Sequence, residues 1–222
     1  MSTANTILMQ QARESLAGKW GQAIGALLVY MLVMVAIQLI PFAGAIIGLL
    51  IGGPMAIGLA TYSLALAREE DANINQLFDG FNKFGLALAA YFLMLVFIVL
   101  WMLLLIIPGI IAALSYSMTF YIIADDESID AMEAIDKSKA MMDGYKWKYF
   151  CLALRFVGWA LLCILTLGIG FLWLVPYMQV SNAKFYEDVK ANYMNQQAAP
   201  VADVEIPVAV ADEATSSEEA EA

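Results

Sequence analysis

Three long apolar blocks, each broken once near its middle by Pro or Gly, dominate this chain: Ala23 to Ala67, Phe84 to Ala124 and Tyr149 to Phe185. Their central breaks are Pro41, Pro108-Gly109 and the run Leu167-Gly168-Ile169-Gly170. A hydrocarbon core of about 30 Å is crossed by about 20 helical residues, so each block is too long for one span and suits two. Pro removes a backbone donor and Gly permits a tight reversal, so each break reads as a hairpin tip. The pattern predicts an all-α, polytopic membrane helical bundle of about six transmembrane spans, arranged as three hairpins with interfacial amphipathic helices. The expected spans are 23–40, 43–66, 84–107, 109–124, 149–166 and 169–187.

Composition agrees with this class. The chain is 62% hydrophobic with a mean hydropathy of +0.74, and only 14% of its residues are charged, against roughly a quarter in soluble domains. Apart from Arg155, and Lys184 at the very end of the third block, the charges fall outside the blocks. Arg13 and Lys19 precede the first span, Arg68 and Lys83 flank the first connecting loop, and Lys137, Lys139, Lys146 and Lys148 fill the second; Lys184 and Lys190 close the last block. The hairpin tips carry none, so the positive-inside rule puts both termini and both long loops in the cytoplasm. The expected partners are membrane lipids, a membrane-protein partner or a second copy, and no nucleic acid.

Three regions follow: a cytoplasmic amphipathic N-terminal helix at 1–22, a membrane domain at 23–190, and an acidic, disordered cytoplasmic tail at 191–222. Seven acids and no Lys or Arg follow Asn195, so most of the net charge of −10 belongs to the tail. The first residues are polar and the apolar run after them is too long for an h-region, so no cleavable signal peptide is expected. Cys151 and Cys163 lie on one span about 120° apart, which argues against a disulfide or a metal pair.

A spaced pattern runs beneath the hairpins. Gly18, Gly80 and Gly144 each follow a polar helical stretch and precede aromatics, as a helix stop followed by a headgroup-level anchor would. The clearest surface helix is Ile129 to Met142, with Ser128 as N-cap and Ala131, Ile135, Ser138 and Met142 on one weakly apolar stripe. Asn73 and Gln76 form a capping-box pattern for a shorter helix ending at Gly80.

Chemistry-bearing residues are few. Gly44, Gly48, Gly52 and Ala56 make a small-residue stripe for close helix packing; a pore or oligomer seam is the more specific reading, and packing within one protomer the simpler one. Gly53-Pro54 interrupts the same span, either as a kink or as a broken helix that exposes backbone to a substrate. Arg155 lies near the cytoplasmic end of the fifth span, where snorkelling or a lipid-phosphate contact suits it. Ser115, Tyr116 and Ser117, joined by Tyr177, are candidate polar-cavity or lipid contacts, interhelical hydrogen bonding being the simpler role. Asp125, Asp126 and Glu127 could hold a cation, but read more simply as a solvated charge run beside a helix start. With no His in the chain there is no Cys-His or Ser-His pair, and no HExxH, P-loop or dinucleotide fingerprint occurs. No catalytic residue, cofactor or metal site is expected.

Several strings resemble a known family. Leu77-Phe78-Asp79-Gly80-Phe81, Ile106-Ile107-Pro108-Gly109-Ile110, Leu114-Ser115-Tyr116-Ser117-Met118, the Ala134 to Gly144 helix with Ser138, and Pro176-Tyr177 followed by Phe185-Tyr186 are similar to the bacterial integral membrane family known as domain of unknown function 975. The resemblance runs from about Thr6 to Val189 and implies a bacterial inner-membrane or plasma-membrane protein, without an activity to transfer. Three functions remain: a non-catalytic lipid- or partner-contacting scaffold, which the missing catalytic groups favour; a small-solute transporter or channel; and, last, a lipid enzyme at the membrane surface.

Overall fold

The computed structural model describes residues 3–41, 43–126 and 128–198. Among them every regular element is helical: α1 (Asn5–Leu16), α2 (Trp20–Gln38), α3 (Gly44–Ala67), a 3₁₀ helix (Ile74–Lys83), α4 (Phe84–Leu104), α5 (Ile106–Ser115), α6 (Thr119–Asp125), α7 (Ala131–Met141), α8 (Lys146–Leu165) and α9 (Phe171–Ala198). Five segments are long and apolar enough to cross a membrane: α2, α3, the 3₁₀ helix with α4, α5 with α6, and α8. The protein is an all-α polytopic bundle. α9, where the sixth span is expected, carries Gln179, Asn182, Lys184, Glu187 and Asp188 and is not among those five. It packs against α1, α2, α3 and α8.

Three hairpins, α2/α3, α4/α5 and α8/α9, turn where the apolar blocks break, with one shift. Pro41 lies in the first turn, where its carbonyl accepts the Ala43 N–H at 2.7 Å; Phe42 is outside the described residues. The second reversal falls at Leu105, which is extended (φ −161°), and not at Pro108-Gly109 as expected. Pro108 is tolerated in the first turn of α5, where helix N–H groups lack intrahelical partners. Gly109 lies so close against Met102 that a Cβ there would overlap it, so the tight hairpin needs that glycine. In the third tip, Leu167 (φ +55°) and Gly168 (φ +87°) are left-handed, and Thr166 Oγ1 accepts the Gly170 N–H at 3.1 Å.

The expected span 109–124 is two helices. Tyr116, Ser117 and Met118 separate α5 from α6, because Ser115 and Ser117 donate to the carbonyls of Ile111 and Leu114 in their own turns (2.8 Å each) and so compete with the helical ladder. The N-terminal helix is likewise shorter than 1–22: α1 ends at Leu16, and Gly18 (φ +79°) turns the chain before α2 begins at Trp20. At the other end α9 stays helical to Ala198, past the expected boundary at 190; the acidic remainder of the 191–222 tail lies outside the described residues. Gly144 (φ +77°) closes α7, but Gly80 has no such backbone, and its segment continues to Lys83 as a 3₁₀ helix behind the Asn73/Gln76 capping box. Ser128 does not cap α7. Its N–H and hydroxyl bond Asp126 Oδ1, and Asp130 occupies the N-cap.

Burial is concentrated toward the polar loops and away from the hairpin tips. The second half of α3, Thr119, Tyr121, Ile122 and Ile123 of α6, the stripe Ala131, Ile135, Ser138 and Met142 along α7, and Val180 to Val189 of α9 supply much of the core. Toward the tips large apolar residues stand exposed, among them Leu39, Ile46, Leu103 at 84% and Leu167 at 94%. Lipid tails are as apolar as leucine, so tip residues gain little by packing on one another.

Candidate functional site

The polar end of the bundle is held by side chains from distant parts of the chain. Arg68, just past α3, reaches Asp125 Oδ1 of α6 (Nη2, 2.6 Å) and Glu187 Oε1 of α9 (Nε, 2.9 Å). The other Asp125 oxygen accepts the Tyr186 hydroxyl at 3.0 Å and the Lys190 ammonium. On α9, Glu187 and Lys190, and Tyr186 and Lys190, lie one turn apart, so a single helix serves both signs of charge. Burial, the largest influence, works against the Arg68 charge, yet the bonds to Asp125 and Glu187 leave its pKa above the ordinary value.

A second tie joins three elements nearby. Asp188 Oδ2 receives Lys148 Nζ of α8 at 2.7 Å, and Asp188 Oδ1 receives both the N–H (3.1 Å) and the hydroxyl (2.5 Å) of Thr3, ahead of α1. Asn5 Nδ2 donates to the Lys148 carbonyl at 2.8 Å. Burial alone would push the Asp188 carboxyl up and is the largest single influence; the hydrogen bonds from Lys148 and Thr3 together hold it below its usual value. Between these ties lies a cleft of about 530 Å³, lined by Gln11, Glu14, Arg68, Glu69, Lys184 and Glu187 among others. Its charges are mixed, and its carboxylates Glu187 and Asp188 already have cationic partners.

The expected acid cluster is thereby dispersed. Asp125 is committed to Arg68, Lys190 and Tyr186, Asp126 faces Lys137 at 3.6 Å, and Glu127 is outside the described residues. No group of three or more His, Cys, Asp or Glu able to hold a metal occurs among the described residues.

The polar stretch of the fourth block meets a residue from the next loop. Ser138 of α7, fully buried, donates its hydroxyl to the Ser115 carbonyl at 2.8 Å and accepts the Met118 N–H at 3.2 Å. It thus satisfies backbone groups on both sides of the α5/α6 break, which as buried polar groups need partners. Tyr116 packs there with Ala112, Ile135 and Phe97. Tyr177 is elsewhere: its hydroxyl donates to the Met9 carbonyl of α1 at 3.1 Å and its ring meets Phe156 edge-on. Arg155 joins Tyr177, its Nη1 lying 3.6 Å from the Met9 sulfur. The candidate polar residues therefore separate into a junction around Ser138 and a patch around Met9.

The glycines of α3 face different partners. A Cβ on Gly44 would meet Ile37 of α2, one on Gly52 the Tyr91 ring of α4, and one on Gly48 only the Gln38 side chain at 3.6 Å; Ala56 is half-buried. The closest approaches are off that stripe, where Gly53 meets the Ala87 carbonyl, Gly58 the Leu77 carbonyl, and Gly80 the Pro54 carbonyl. Pro54 lies inside a continuous α3, and the 3₁₀ helix is seated on it.

A family model described as Protein of unknown function (DUF975) matches residues 1–114 and 95–193. The chain belongs to this family. No curated protein and no solved structure matches it. In this DUF975 protein the strings that carried the resemblance fall at helix junctions: Leu77 and Gly80 on α3, Ser115 to Met118 on Ser138, Tyr177 on α1, and Tyr186 on Asp125. The polar ties and the clamp by Ser138 are not legible in the sequence, since their partners lie 20 to 185 residues apart. One signal did exist for Ser138, a polar residue on the apolar stripe of its helix.

Proposed function

We propose that this DUF975 protein is a non-catalytic scaffold of the bacterial cytoplasmic membrane, both termini cytoplasmic, that acts by contacting lipid and a membrane-protein partner or second copy. The observation that carries this reading is the uneven packing: a close-packed, ion-paired end and tips whose large apolar side chains face outward. Such a molecule is rigid where it would meet the cytoplasm and open where it would meet lipid. The groups that an enzyme or a carrier needs free are engaged elsewhere. Asp125 is bound by two cations and a tyrosine, the α5/α6 break is filled by Ser138, and the Pro54 site is covered by Gly80.

Small-solute transport is the second reading, and one observation favours it. The buried Tyr62 hydroxyl has no hydrogen-bond partner among the described residues and borders a cavity between α2, α3 and α9. That cavity holds about 20 Å³, room for one water and not for a solute. Native mass spectrometry of the gently purified protein, paired with flux measurements in vesicles, separates the two readings. The scaffold predicts co-purifying lipid or protein and no solute flux. A solute that raises the melting temperature and crosses the vesicle wall, with both effects lost in Tyr62→Phe, overturns it.

A further inference from the structure

Arg13 of α1 and Arg155 of α8 are separated by most of the sequence, yet they converge. Arg155 reaches Met9 on α1, Tyr177 donates to the carbonyl of the same Met9, and Arg13, one turn further along α1, lines the same groove as Tyr177. Neither arginine has an ion-pair partner among the described residues, and both are exposed. Two unpaired cations held side by side repel, and an anion between them removes that cost.

From this point a groove of about 190 Å³ runs between α8 and α9, with Arg13 and Trp20 at one end and Cys163 and Gly170 at the other. Its walls are Trp159, Trp173, Leu174 and Tyr177. From Arg155 to Cys163 along α8 is roughly 12 Å at 1.5 Å per residue. Both tryptophans of the wall are half exposed, so the groove opens sideways to the surroundings of the bundle. One end therefore offers the Arg13 guanidinium, with Arg155 reaching Met9 one turn away on α1, and the rest offers only aromatic and apolar surface toward the hairpin tip. Guanidinium groups form short charge-assisted bonds to phosphate oxygens, and Trp and Tyr favour the headgroup boundary.

We infer that the α1/α8/α9 groove is a binding site for an anionic phospholipid, with its phosphate between Arg13 and Arg155 and an acyl chain along Trp159, Trp173 and Leu174. A free phosphate would leave the apolar length empty, and a neutral apolar molecule would leave the arginines unpaired. The inference rests on the scaffold reading for its orientation, since α1 must lie at the cytoplasmic headgroup level.

The test uses the groove's own tryptophans. In a Trp101→Phe, Trp147→Phe background of the full chain, purified in zwitterionic detergent, brominated phosphatidylglycerol should quench fluorescence saturably and at lower concentration than brominated phosphatidylcholine. Arg13→Gln with Arg155→Gln should weaken the phosphatidylglycerol response about tenfold or more, with an unchanged melting temperature, and the paired Lys variants should keep part of it. Should the double variant unfold, Arg155→Gln alone reads the same loss at smaller amplitude. Equal quenching by the two lipids, an unchanged response in the Gln variants, or displacement by inorganic phosphate overturns the inference. Failure here without solute flux leaves the scaffold standing, while flux with intact phosphatidylglycerol selectivity removes the scaffold and keeps the groove.

Discussion

A Cβ built on Gly58 would land on the Leu77 carbonyl, and one on Gly80 on the Pro54 carbonyl, so the 3₁₀ helix and α3 touch backbone to backbone. Alanine at Gly58 would gain up to about 1 kcal/mol of helix propensity, but the overlap would cost about 1–3 kcal/mol, because neither carbonyl can rotate away. Gly58→Ala and Gly80→Ala should therefore lower the thermal midpoint in detergent, while Gly25→Ala, with nothing within 4 Å of its Cβ, should leave it unchanged or raised. Equal midpoints for the three variants would refute the close contact. The four-residue stripe from Gly44 to Ala56 was visible in the chain, yet its period says only that small residues share a face. Which of them another backbone presses on depends on the neighbours. Ser138 teaches the same lesson: its helix face was legible, while its two hydrogen bonds required the α5/α6 break to lie alongside.

At the scale of elements, α9 is the helix whose charges gain most from the tertiary structure. Lys184, Glu187, Asp188 and Lys190 look like the polar exit of a last span, and they are also the posts to which α1, α3, α6 and α8 are tied, or the wall of the cleft between them. The Asp188 tie has a pH dependence of definite sign. Its carboxyl is held below the ordinary value in the folded protein, so its stabilisation is present above the unfolded carboxylate value of about 3.9. That stabilisation is lost as pH falls through the lower folded value. Asp188→Asn should cost about 1–3 kcal/mol near neutrality and flatten the acid limb of melting temperature against pH. An acid limb identical in the variant and the parent would exclude this origin. The break between α5 and α6 belongs to the same scale, since the serines that compete for backbone were readable, but their effect depended on a partner helix to stabilise the opened turn.

For the whole molecule the proposed threading gives a direct expectation. With Cys151 and Cys163 replaced by serine, single cysteines at Leu105 and Ile169 should label from outside intact cells, and those at Asn73 and Asp143 only after permeabilisation. Labelling of all four from one side would refute three hairpins with a common polar face. The chain alone determined the class and the hairpins, because runs of apolar residues too long for one span, broken by Pro or Gly, leave few alternatives in a medium that cannot hydrogen-bond backbone. It also determined that no histidine can serve in any site, since a residue type that is absent cannot be folded into place. Only the tertiary structure decided where the bundle is tight, which charges pair and that Arg13 is left facing a groove. Those outcomes depend on side chains up to 185 residues apart, and local patterning carries no record of which distant partner will stand within hydrogen-bonding distance.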